Sequence, residues 1–191
     1  MLNISNFIAK YVTKRPESMF QADLYTHQSA LTKAIEGKSV LVIGGAGSIG
    51  SSYIKALLPF KPKTLVVVDI SENGLTELTR ELRSTSAFTV PTDYVTYPMN
   101  YADDTFVKMF KDRGGFDIVA NFSAHKHVRS EKDKYSVEAL LKNNVVNAKK
   151  FLDLLCDYPP EHFFCVSTDK AANPVNIMGG SKKIMEDMIM A

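Results

Sequence analysis

Residues 39–50 read Ser-Val-Leu-Val-Ile-Gly-Gly-Ala-Gly-Ser-Ile-Gly, and Leu65-Val-Val-Val-Asp69 follows about twenty residues after the turn. Val40–Ile43 is a short apolar, β-branched run of the kind that forms a parallel strand buried on both faces. Gly44, Gly47 and Gly50 then recur at every third position and open a helix. The N–H groups of its first turn, at Ser48, Ile49 and Gly50, can meet the charge of a pyrophosphate. Asp69, followed by Ile70, is placed to accept hydrogen bonds from an adenosine ribose. Its charge repels a 2′-phosphate, so NAD is expected over NADP. A lone glycine triplet says little; here the strand, the helix and the spaced acid agree.

The same alternation continues along the chain. Strand 39–43 leads to helix 48–58, strand 64–69 to helix 71–84, and strand 93–98 to helix 103–111. Strand 116–121 leads to a polar loop and one long helix over 136–156, and strand 162–167 to a helix from 177 onward. Such a pattern predicts an α/β fold, a doubly wound parallel sheet of Rossmann type. Residues 1–37 read as a helical extension of two helices parted near Arg15-Pro16, and 38–191 as the dinucleotide-binding domain. The pattern is still helical and uncapped at Met190-Ala191. The chain is therefore expected to be the front part of a longer polypeptide, cut before a substrate-binding region.

Composition excludes several function classes. A formal net charge of +2 gives no reason to expect nucleic acid or an anionic membrane as partner. No apolar stretch reaches the ~18–20 residues that span a bilayer, and Met1–Ala9 lacks the flanks of a signal peptide. A cytoplasmic protein is expected. Cys156 on a helix and Cys165 in a strand read as reduced core residues. His125 and His127, with no third ligand in sight, make a poor zinc motif, so no metal is expected. The apolar N-terminal helices suggest a homo-oligomer.

A second cluster follows the last strand. Ser167-Thr-Asp-Lys170 sits where ligands gather in open α/β sheets, at the carboxyl end of a strand. Met178 and Lys182, four apart, share one face of the next helix. A hydroxyl, a carboxylate and an ammonium in sequence offer a donor, an acid and a base. A solvated turn is the plainer reading of the same residues.

Taken together, Gly44–Ser51, Asp69-Ile-Ser-Glu-Asn-Gly-Leu75, Ala124-His-Lys-His-Val128, Lys142-Asn-Asn-Val145 and Ser167–Lys182 resemble the extended short-chain dehydrogenase/reductases. The likeness is specifically to the nucleotide-sugar 4,6-dehydratases of bacterial polysaccharide biosynthesis, over roughly the first half of their catalytic domain. That resemblance implies a tightly held NAD and a UDP-N-acetylglucosamine-type substrate. It implies oxidation at C4 of the sugar, loss of the C5 proton and of the C6 hydroxyl as water, and return of hydride to C6. Asp169 would be the acid and Lys170 the base, with Lys170 also touching substrate. Lys182 would hold the nicotinamide ribose, and Ala124 and Lys126 would line the nicotinamide or sugar side. Asn100 and Tyr101 fall where the family sets an aspartate against adenine. Met178 replaces the family's usual tyrosine, as in one dehydratase subgroup, and a thioether cannot exchange the C4 hydroxyl proton. Thr168, backed by Asp169, is expected to take that contact. The rival readings are a nucleotide-sugar 4-epimerase, which needs no C5 base or C6 acid, and a non-catalytic NAD-binding module.

Overall fold

The computed structural model describes residues 7–15, 18–125 and 131–191, which divide into two compact units, 1–34 and 35–191. In the first, a π turn covers Ile8–Val12, and helices α1 (Gln21–Thr26) and α2 (Gln28–Ile35) follow. One helix was expected after Pro16; instead it breaks at His27, whose φ of −99° and ψ of 8° leave the helical region. None of these three elements has a buried residue. Among the described residues, no helix is long and apolar enough to cross a membrane.

The second unit is built on five parallel strands in the order β3-β2-β1-β4-β5. They are β1 (Ser39–Ile43), β2 (Thr64–Asp69), β3 (Asp93–Pro98), β4 (Ile118–Asn121) and β5 (His162–Cys165). Between them lie α3 (Ser48–Leu57), α4 (Glu72–Ser84) and α5 (Asp104–Asp112). After β4 come α6 (Lys134–Leu141), a π segment (Lys142–Asn147) and α7 (Ala148–Asp157); α8 (Ile177–Met190) follows β5.

Strand alternation sorts the core into two layers. Val40, Val42, Leu65 and Val67 face Ile54, Leu57, Leu75, Leu78 and Leu82 of α3 and α4. Leu41, Ile43, Val66 and Val68 face Phe106 and Phe110 of α5 and Phe151, Leu154 and Leu155 of α7. Each fully buried aliphatic side chain contributes about 1.5–3 kcal/mol. Helices on both faces make the sheet doubly wound, and the winding reverses between β1 and β4. A crevice forms at such a reversal, outside the carboxyl ends of the strands.

Three expectations from the sequence need correction. The helix foreseen over 136–156 starts at Lys134, capped by Asp133 accepting the Ser136 N–H at 2.8 Å, and is interrupted by the π segment. The widened turn carries Asn144 and Asn147 inward, both buried. Strands β4 and β5 are shorter than read. At Asp117 the backbone N–H turns to the Ser39 hydroxyl, so β4 begins one residue later, and after Val166 the chain leaves β5 for a 3-10 turn at Asp169–Ala171. Finally, Cys156 is exposed rather than in the core, and Cys165 is partly buried on the edge strand.

Candidate active site

The glycine turn is compelled by sterics. Gly44 has φ +74°, and a Cβ there would stand 2.8 Å from the Ser123 backbone nitrogen. A Cβ on Gly50 would stand 2.3 Å from the Gly44 carbonyl oxygen, so the first turn of α3 can close onto the strand only without a side chain. Gly47 begins α3 with extended backbone and offers no side-chain cap, which leaves the first-turn N–H groups open to an outside acceptor. A Cβ on Gly47 would meet only the Gly44 oxygen, at 3.4 Å.

Asp69 is fixed by two backbone amides. Its Oδ2 accepts the Ala46 N–H at 3.0 Å and its Oδ1 the Ser71 N–H at 2.9 Å. Each oxygen keeps a lone pair for a further donor. Ser71 also caps α4 by accepting the Gly74 N–H at 3.1 Å. Beside Asp69 a cavity of about 120 Å³ is lined by Ile70, Asn100, Tyr101, Ala124 and Asn143, among others. Asn100 spends its Oδ1 on the Ala102 N–H. Tyr101 belongs to the core and donates its hydroxyl to the Asn143 carbonyl at 2.9 Å. Ile49 and Ile70 remain open at the rim, 59% and 77% exposed.

On the other side of Gly44, a cavity of about 340 Å³ lies across the carboxyl ends of β1, β4 and β5. Its walls include Gly44, Gly47, Ser48, Ile49 and Gly50 on one side and Ser167, Thr168, Met178 and Lys182 on the other, with Phe122 and Ala124 between. Gly44 and Ala124 border both cavities. Lys182 is only 4% exposed, and its ammonium donates to the Met185 sulfur at 3.4 Å. Burial pushes its pKa below the ordinary lysine value, against the smaller opposing pull of Cys165 and Glu186. The Ser167 hydroxyl is buried with no hydrogen-bond partner among the described residues.

Asp169 and Lys170 do not line this cavity. They form a surface ion pair at 3.1 Å, with side chains 84% and 46% exposed. The Thr168 hydroxyl donates to Asp169 Oδ1 at 2.9 Å. Those two partners, the Thr168 hydroxyl first, hold the Asp169 carboxyl below the usual carboxylate range. Lys126 and His127 lie outside the described residues. Among the described residues no group of three His, Cys, Asp or Glu side chains is placed to hold a metal ion.

Two contacts invisible in the sequence brace α8 against the loop after β4. Glu131 Oε1 accepts the Met178 N–H at 2.6 Å, across 47 residues of sequence. Asn144 clasps His125, accepting its N–H and donating to its carbonyl, each at 2.9 Å, and donates to the Ser181 hydroxyl at 3.0 Å. No periodicity or spacing signals either contact. Three features of this crevice fit a dinucleotide: a turn that a Cβ at Gly44 or Gly50 would obstruct, a carboxylate with spare lone pairs, and a buried lysine amine held by a thioether.

The family described as polysaccharide biosynthesis protein matches residues 40–191. An uncharacterized membrane protein of Methanocaldococcus jannaschii is 36% identical over 154 residues, 81% of this chain and 43% of that relative. The inverting UDP-N-acetylglucosamine 4,6-dehydratase of Campylobacter jejuni is 27% identical over 162 residues, with the same two coverages. The chain thus spans under half the length of these two relatives. The structure of WbmG from Bordetella bronchiseptica in complex with NAD and UDP superposes with a TM-score of 0.63 at 18% identity, over 81% of this chain and half of that one, a likeness of fold. The resemblance read from the sequence is borne out over β1 to α8, and the chain belongs to the polysaccharide biosynthesis protein family.

Proposed function

We propose that the chain takes part in NAD-dependent dehydration of a UDP-N-acetylhexosamine to its 4-keto-6-deoxy product, with residues 38–191 forming the NAD-binding domain and 1–37 a helical extension. The observation that carries this reading is a pair of adjoining cavities that share Gly44 and Ala124, with Asp69 in one and the glycine turn, Thr168, Met178 and Lys182 in the other. The 4,6-dehydratase named among the relatives and the NAD and UDP in the WbmG structure support it. NAD⁺, when bound, supplies a hydride acceptor that is regenerated within the turnover.

The chain's own residues have separable tasks. The first-turn N–H groups of α3 bind the pyrophosphate, and Asp69 binds the adenosine ribose. Ile70, Asn100 and Tyr101 border the adenine. Thr168 contacts the C4 hydroxyl of the sugar. As they stand, the Asp169 carboxylate and Lys170 ammonium are in the wrong protonation states for an acid at C6 and a base at C5. One proton passing along their 3.1 Å hydrogen bond corrects both at once. Excluding water from the loop favours that neutral pair, because the ion pair loses more solvation than the neutral one. Lys170 then takes the C5 proton, the C5–H electron pair forms the C5–C6 double bond, and the C6 hydroxyl leaves with the Asp169 proton as water. This exchange restores the ion pair.

The test is mass spectrometry of UDP-N-acetylglucosamine after incubation with the protein and NAD⁺, with Lys170→Ala alongside. A product lighter by one water, absent with the variant, is expected. A product of unchanged mass with inverted C4 would establish an epimerase instead, and bound NAD without turnover would leave a binding module.

A further inference from the structure

We infer that Lys182 is the group that takes the C4 hydroxyl proton, replacing the hydroxyl that Met178 cannot supply; this rests on the reaction proposed above. Met178 is 2% exposed and presents a thioether where an acid–base group is needed. Among the described residues that wall the 340 Å³ cavity, Lys182 is the only ionisable side chain; the others are glycine, apolar groups and the hydroxyls of Ser48, Ser167 and Thr168.

The surroundings of Lys182 suit an amine that works uncharged. Its Nζ reaches the Met185 sulfur, a weak acceptor, and among the described residues no carboxylate lies within ion-pair distance. An ammonium so placed has donors unsatisfied, whereas a neutral amine keeps a lone pair for an incoming proton. The groups that bear on its charge are Cys165 of β5 and Glu186 of α8, and burial outweighs both.

Asp169 is the competing acceptor, and its environment moves it the other way. Thr168 and Lys170 both donate to Oδ1 and drive its pKa further below neutrality. A proton acceptor is most effective when its pKa lies near the working pH. Lys182 is displaced towards that range from above, and Asp169 away from it from below.

In the proposed step the neutral Lys182 amine takes the C4 O–H proton. The O–H electron pair becomes the second C–O bond of the ketone, and the C4–H bond breaks with NAD⁺ as the oxidant. At the end of the cycle Lys170 gives a proton to C5. The proton held by Lys182 replaces it through solvent, so the chain finishes as it began.

Two measurements test the assignment. In the ligand-free protein, ¹³Cε NMR of labelled lysines should show one resonance, absent from Lys182→Met, that titrates at lower pH than the rest. Titration of that resonance with the bulk would overturn the inference without reference to activity. In a single turnover with substrate and NAD⁺, followed by the absorbance of reduced nicotinamide, Lys182→Arg should slow the first oxidation roughly 10²–10⁴-fold, the range of general-base catalysis. Its NAD affinity, measured by calorimetry, should change far less, since arginine keeps N–H donors for the nicotinamide ribose. Asp169→Asn should still form reduced nicotinamide while dehydration stops. Rapid oxidation by Lys182→Arg, or none by Asp169→Asn, would return the role to Asp169. If the parent protein forms no dehydrated product, the proposed function itself falls; if it does and Lys182→Arg keeps pace, only this inference falls.

Discussion

Asp69 Oδ2 accepts the Ala46 N–H at 3.0 Å, so the acid that closes β2 also holds the glycine turn that follows β1. One carboxylate thereby sets the turn and, in the proposed function, binds the adenosine ribose. Asp69→Ala removes both the clamp and two charge-assisted acceptors, each worth about 1.5–3 kcal/mol. We predict that NAD binding weakens by roughly 10²–10⁴-fold, measured by calorimetry. Unchanged affinity would remove Asp69 from the site.

The glycines of the turn should separate into structural and binding positions. Gly50→Ala puts a Cβ 2.3 Å from the Gly44 backbone oxygen, which cannot retreat without moving β1. A loss of about 1–3 kcal/mol or more in stability is expected. Gly47→Ala, whose Cβ would make an ordinary 3.4 Å contact with the Gly44 oxygen, should keep its melting temperature and lose dinucleotide affinity. Equal destabilisation by both variants would show that Gly47 is needed only for the fold.

Much of this arrangement was legible in the sequence. Val40–Ile43 and Leu65–Val68 are apolar at successive positions because both faces of their strands are covered. The π segment was not legible, since one widened turn barely disturbs a helical hydrophobic pattern. Nor was the pairing of Glu131 with Met178, or of Asn144 with His125 and Ser181, because such contacts depend on where the fold brings distant segments. The exposure of Cys156 escaped for a related reason: residue type favours burial, but the position on α7 decides it.

Ser167 offers a test with opposite signs. Its hydroxyl is buried without a partner among the described residues, and burying an unpaired polar group costs about 1–3 kcal/mol. Ser167→Ala should therefore raise the melting temperature of the ligand-free protein. If the hydroxyl turns to a ligand when one binds, the same variant should weaken NAD or substrate binding. A lower melting temperature would mean that the hydroxyl is satisfied in solution.

Acid sensitivity should be traceable to Asp117. The backbone N–H of Ser39, and then its hydroxyl, both donating at 2.7 Å, hold the Asp117 carboxyl below the usual range. A carboxyl whose folded pKa is depressed contributes stability above its unfolded value of about 3.9, and the contribution is lost as pH falls through the folded value. Ser39→Ala keeps the backbone donor and removes the hydroxyl. Its urea midpoint should fall below the parent's near pH 7, and the gap should narrow as pH falls through the depressed folded value, leaving the loss of the Asp117 N–H bond to the Ser39 hydroxyl. A gap that does not change with pH would assign the loss to packing.

The most direct measurement of the central claim, that the crevice between β2 and β5 is an NAD site, is calorimetric titration of the protein with NAD⁺ and then with NADP⁺. The account predicts saturable NAD⁺ binding at one site, with NADP⁺ weaker by about tenfold or more because Asp69 faces its 2′-phosphate. No binding of NAD⁺, or equal binding of the two, would contradict it.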